Sequence, residues 1–194
     1  GLNFTKQLDD HLRTGLQLFS RDLGPTGDYK LKLDWAYLDY RWRDWLGLRA
    51  GRTKLPFGLY NDTSDIDAAH PVALLPQSVY PAQNRDYLLA QTGVELYGYY
   101  ELGAAGAVDY RAYGGTIFLD VSQSNPMVTV LELDVPYVVG ARVVWDPPLE
   151  GLRVAASAQA LRLESELLAP DPLSITIPAV LWAASVEYAP DDML

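Results

Sequence analysis

The closest approach to a reactive or ligating cluster is "NDTSDID", where Asp62, Asp65 and Asp67 crowd a short stretch. Several carboxylate oxygens are what a hard cation such as Ca2+ requires, but a dedicated calcium loop also needs a glycine at its sharp turn and a bidentate Glu at its end. Neither is present, so the favoured reading is a solvated acidic loop, and no metal site is predicted. Glu164 and Glu166 share one face of a strand end and resemble a glycosidase pair only if a sugar cleft lies between them. His11 and His70 stand alone, and there is no cysteine to act as nucleophile, thiolate ligand or disulfide partner. "GLRAGR" lacks the spacing and the Lys-Ser/Thr ending of a phosphate-binding loop. The prediction is therefore no catalytic residue, no enzyme activity and no cofactor.

What does stand out is charge on alternating positions. Arg13, Arg21, Lys30, Lys32, Arg49, Arg111, Arg142 and Arg153 interleave with Asp34, Glu95, Glu101, Asp109 and Glu187, each on the polar side of a two-residue alternation. In "YKLKLDWAY", Tyr29, Leu31, Leu33, Trp35 and Tyr37 oppose Lys30, Lys32, Asp34 and Ala36. In "TGVELYGYYEL", Val94, Leu96, Gly98 and Tyr100 oppose Glu95, Tyr97, Tyr99 and Glu101. So many charges cannot face a dry core. They fit the solvent face of an open sheet, or a water-filled lumen in which charged rings filter ions.

Composition narrows the choice. The 194 residues are 49% hydrophobic and 21% charged, ordinary for a folded chain, and 13 Tyr with 5 Trp supply many interfacial aromatics. A formal charge of -10 argues against nucleic acid as partner, because phosphate affinity comes from clustered Lys and Arg. No apolar run reaches the roughly 18 to 20 residues of a membrane helix, whereas barrel strands need only about 9 to 11.

About eight strands are predicted, at Leu12 to Leu18, Tyr29 to Tyr37, Leu46 to Leu55, Gln91 to Leu102, Ala107 to Leu119, Tyr137 to Asp146, Leu152 to Glu164 and Ala179 to Tyr188. Short links at "RDW", "GAAG" and "PPLEG" alternate with long ones at "LGPTGD", at 56–89, at "VSQSNPMVTVLELDVP" and at "LLAPDPLSITIP". An up-and-down membrane barrel has this habit, with short turns at one rim and long loops at the other. Trp35, Tyr37, Tyr40, Trp42 and Trp45 crowd the first short turn, Tyr97, Tyr99 and Tyr100 precede the second, Trp145 the third, and Trp182 and Tyr188 the C-terminal end. They are predicted to form an aromatic girdle at the membrane interface, where a ring is buried while its polar end stays wet. The plainer alternative is aromatic packing in a soluble sheet.

"LDWAYLDYRWRDWLGLRAGRTKLPFGLYNDTSDID", "LLPQSVYP" and "GVELYGYYE" together resemble the Gram-negative outer-membrane porins, the phosphate-selective and general porins in particular. The likeness is carried by the first half; beyond about Ala104 the chain is similar only as generic barrel strands. The resemblance implies an all-β, antiparallel up-and-down transmembrane β-barrel, residues 1–194 forming one incomplete barrel region of a larger barrel of roughly 16 to 18 strands. It implies residence among outer-membrane lipid, a homotrimer, and passive diffusion of small hydrophilic solutes or ions; basic residues slightly outnumber acids on the presumed lumen faces, which points to anions. It also implies that the loop at 56–89 folds inward, setting Asp62, Asp65 and Asp67 across a constriction from basic residues such as Arg49. Two other classes stay open: a soluble all-β carbohydrate-binding module, and a small closed eight-stranded membrane barrel with a filled interior.

Overall fold

A computed structural model describes residues 1–20, 31–59, 90–118, 124–125, 128–169 and 171–189. They form one antiparallel sheet from β1 (Leu2–Gln7), β2 (Leu12–Phe19), β3 (Lys32–Arg43), β4 (Leu46–Lys54), β5 (Ala90–Glu101), β6 (Ala107–Phe118), β7 (Ser124–Asn125), β8 (Val128–Asp146), β9 (Leu152–Ala169) and β10 (Asp171–Tyr188). The order is β1-β2-β3-β4-β5-β6-β8-β9-β10, every neighbour adjacent in sequence, with β7 a two-residue strand beside β8. No helix among the described residues is long and apolar enough to cross a membrane. The architecture is thus an up-and-down, barrel-like all-β fold whose sheet is open, β1 and β10 forming its two edges. Nine strands lie on the path and each reverses the last, so the two edges run in the same direction.

The registers place the turns at 8–11, 44–45, 102–106 and 147–151 on one rim. A short 3-10 turn, Gly103–Ala105, makes the third of these, and Trp145 Nε1 donates to Ala105 O at 2.9 Å to brace it. The ends of β2, β4 and β6 and the starts of β3, β5 and β8 lie at the opposite rim.

Two links expected to be long are instead strand. β8 begins at Val128, and β9 runs to Ala169 before β10 starts at Asp171, so the last hairpin is tall and tightly joined. Prolines disguised this in the sequence. Pro172 and Pro178 lie on β10, an edge of the described sheet, where proline is best tolerated, and Pro136 falls within the register shift between Asp134 and Tyr137. β1 adds a strand that the sequence pattern had not marked.

The sheet curls. From β4 to β9 the wall crosses four strand spacings, an arc of about 19 Å, whereas Lys54 to Gly58 spans at most about 14 Å of extended chain. Yet Gly58 N donates to Ser157 Oγ on β9 at 2.9 Å, so the segment after β4 is a chord across the inside of a curved wall. Leu55 and Phe57 are buried beneath it, and Leu55 joins Tyr113, Ile117, Val135 and Val138 in an apolar cluster flanked by Leu161 and Leu163.

Outside and inside differ sharply. On the outer face one cross-strand row reads Leu38, Ala50, Val94, Gly114, Val139, Ala160, Val180, with no polar side chain from β3 to β10. Five of the seven positions are exposed and Gly114 and Ala160 are half-buried; Val180 is 75% exposed, and its outward neighbours Trp182 and Val186 are 77% and 71% exposed. The adjacent inner row reads Arg13, Asp39, Arg49, Glu95, Tyr113, Gly140, Gln159, Leu181.

Candidate channel wall

Four charged residues of alternating sign stand directly opposite one another on the inner face, and ion pairs join them. Arg13 Nη2 lies 2.8 Å from Asp39 Oδ2, and Arg49 reaches Asp39 and Glu95 at 3.3 Å each. The chain continues one level along: Arg111 lies 3.7 Å from Glu95 and 3.6 Å from Asp109, and Arg142 lies 3.6 Å from Asp109. A ladder of four arginines and three carboxylates therefore crosses the wall from β2 to β8. Cross-strand pairing explains the order from Arg13 to Glu95, since opposite charges on facing positions attract; Arg111 and Arg142 face each other directly and are joined through Asp109.

Aromatic rings hold the ladder in place. The Arg49 guanidinium lies over both Tyr37 and Tyr97, 4.7 and 5.0 Å from the ring centroids. Tyr97 donates its phenol proton to Asp39 Oδ1. Its ring covers Gly47, where any Cβ would collide with it. Tyr113 repeats the device over Gly140 and donates to Gln159 Oε1 at 2.7 Å. Glycines on the inner face thus make room for rings that reach across a neighbouring strand to a polar partner.

Two of the three carboxylates lie deeper than the arginines. Asp39 and Glu95 are 3% and 1% exposed, against 37% for Arg13 and 23% for Arg111. The third, Asp109, is 32% exposed, comparable with Arg13 and Arg111.

Of the remaining sequence-predicted wall residues, Asp34 is buried with its carboxylate 3.9 Å from Lys54 Nζ. Arg153 pairs with Asp146 at 2.9 Å and Glu187 at 3.9 Å near the short-turn rim, and Glu101 is exposed at the same rim. Lys32 is placed on β3 opposite Phe19. Arg21, Lys30, Asp62, Asp65 and Asp67 lie outside the described residues.

The aromatic set divides. Trp42, Trp45, Tyr100 and Trp145 gather at the short-turn rim, where Trp42 and Trp45 are 5.8 Å apart and Tyr110 donates to the Trp45 carbonyl. Trp35 and Tyr37, expected in the girdle, belong to the inner face, stacked 5.1 Å apart above Gly15. The cause is a register shift: Leu18 pairs with Leu33 while Gln17 pairs with Trp35, so one extra residue turns the alternation over. Trp182, also expected at the rim, pairs with Ala158, six residues up β10 from Tyr188, about 20 Å away along the strand.

The sequence pattern missed Asp39, which bridges Arg13 and Arg49, as well as Ser157 and the backbone of Gly58, which accepts from Arg142 Nη1 at 3.4 Å. A β4 strand ending in "KLPFG" was the only hint, since proline stops the strand and glycine permits a turn. The ladder and its outward apolar counterpart define a two-faced wall, charged inside and apolar outside. Nothing matches the chain among protein-family profiles, curated proteins or solved structures.

Proposed function

We propose that this chain forms part of the wall of a water-filled pore in a bacterial outer membrane, through which small hydrophilic solutes or ions diffuse passively. The observation that carries the reading is the opposition of two neighbouring cross-strand rows: an unbroken, exposed apolar row outside and a charged row inside. A protein whose outer surface is in water gains nothing from Leu38, Val94, Val139 and Val180 standing bare in register, while a lipid-facing barrel requires it. Charges paired within a wet interior cost little, and their spacing gives the lumen a fixed field.

The dimensions agree. On β8 the outward side chains between Trp145 at the short-turn rim and Tyr137 above are Val143, Ala141 and Val139. Eight residues of strand rise about 26 Å, or about 20 Å vertically at the usual barrel tilt, against an apolar band of about 25 Å. Beyond Tyr137 the outer face turns polar: the Arg162 guanidinium lies 5.4 Å from its ring, and Glu164 follows on the same face.

Closure of the pore draws on further strands. Because β1 and β10 run in the same direction, an entirely antiparallel closure takes an odd number of additional strands between them. This supports the reading of a larger barrel of the porin type, since bacterial barrels have even strand numbers. Four arginines against three carboxylates, two of the carboxylates (Asp39 and Glu95) nearly fully buried, favour anions.

The test is electrical. Protein that includes the closing strands, folded into a planar bilayer, should give discrete conductance steps, and in a salt gradient the reversal potential should carry the sign of anion preference. Folded, membrane-inserted protein without steps would defeat the pore, and a cation-sign potential would defeat the anion preference alone.

A further inference from the structure

Immediately after β4 the chain leaves the wall and enters the interior. Phe57 N donates to Leu55 O at 2.9 Å, a tight turn centred on Pro56, whose fixed φ suits it. Gly58 then adopts φ 63°, a left-handed conformation that favours glycine. Its peptide is gripped from both sides: the N–H by Ser157 Oγ at 2.9 Å, the carbonyl by Arg142 Nη1 at 3.4 Å. Ser157 and Arg142 are themselves direct cross-strand partners on β9 and β8, both nearly buried.

We propose that Ser157 and Arg142 are positioning residues that fasten this strap, Leu55–Gly58, to the far wall and so fix the bore of the pore. The inference rests on the pore reading above and adds to it the residues that set the aperture. A backbone amide inside the barrel needs a partner, and Ser157 is the one provided. Arg142 reaches both the strap and Asp109 and is only 5% exposed, which makes it a brace, whereas Arg13 and Arg111 are 37% and 23% exposed. Selectivity and aperture are therefore assigned to different residues on one wall.

The test compares Ser157→Ala and Ser157→Thr with the parent chain in planar bilayers. Losing the acceptor leaves a buried N–H unmade, which should shift the ratio of docked to undocked strap by about 5- to 150-fold. Ser157→Ala should show larger conductance levels and open-channel noise at an unchanged reversal potential, and Ser157→Thr, which keeps the hydroxyl, should behave as the parent. If Ser157→Ala conducts as the parent does, the strap assignment falls while the pore stands. Amide hydrogen exchange across 55–58 in the detergent-folded protein gives a readout free of conductance. Protection that is lost in Ser157→Ala supports the strap even if no pore forms. Rapid exchange in the parent overturns it.

Discussion

Ala141 offers the sharpest test of which solvent meets the outer face. It is exposed on β8, four residues from Trp145 and four from Tyr137, and so sits midway between the two aromatic levels. An arginine at the middle of a lipid-facing barrel strand costs about 2–4 kcal/mol, falling to about 0–1 kcal/mol near the interface. Ala141→Arg should therefore lower the folding equilibrium about 30- to 700-fold. Leu149→Arg, in the β8–β9 turn where Leu149 is already exposed, serves as the interfacial control. If the outer face met water, both substitutions would be near neutral, within about 0.5 kcal/mol. Urea titration of protein folded into phospholipid vesicles, followed by tryptophan fluorescence, reads the difference. Equal midpoints for the parent and both variants would refute the lipid-facing assignment.

Other consequences concern the ladder. Arg49→Ala removes the bridge between Asp39 and Glu95 together with two ring contacts; each acid keeps another arginine, so a loss of about 3 kcal/mol is expected by urea titration, the low end for a broken buried pair. Glu95→Gln should raise the anion-to-cation permeability ratio, measured from reversal potentials, because it deletes one of the ladder's three carboxylates. Gly47→Ala should destabilise by about 1–3 kcal/mol, since the new methyl meets the Tyr97 ring. Tyr97→Phe should cost about 1.5 kcal/mol in the same titration, losing the bond to Asp39 while the ring still covers Gly47.

Alternation makes most of the wall legible in the sequence itself. Arg13, Arg49, Glu95, Asp109, Arg111 and Arg142 share one face because a strand's period of two fixes which side each residue takes. Where the period breaks, the sequence misleads. One extra residue near Asp34 moves Trp35 and Tyr37 from an expected outer girdle to the inside, and no local composition marks that shift. Prolines mislead in another way: Pro172 and Pro178 read as loop, but an edge strand tolerates them. The pairing of Arg13 with Asp39 and of Arg49 with Glu95 is out of the sequence's reach, because register depends on turn lengths and bulges rather than on the charges themselves. Leu55–Gly58 run inward, and the rest of the loop at 56–89, from residue 60 on and with its acidic residues, lies outside the described part of the chain.

Single-tryptophan variants in lipid vesicles test the two-faced wall most directly. Trp182 points outward in the middle of β10 and Trp35 inward beside Tyr37. With every other tryptophan replaced by phenylalanine, emission from Trp182 should be strongly quenched by brominated phospholipid and little affected by aqueous acrylamide. Trp35 should behave the opposite way. Quenching of Trp182 by acrylamide with no effect of brominated lipid would place the apolar rows in water and contradict the membrane wall at its root.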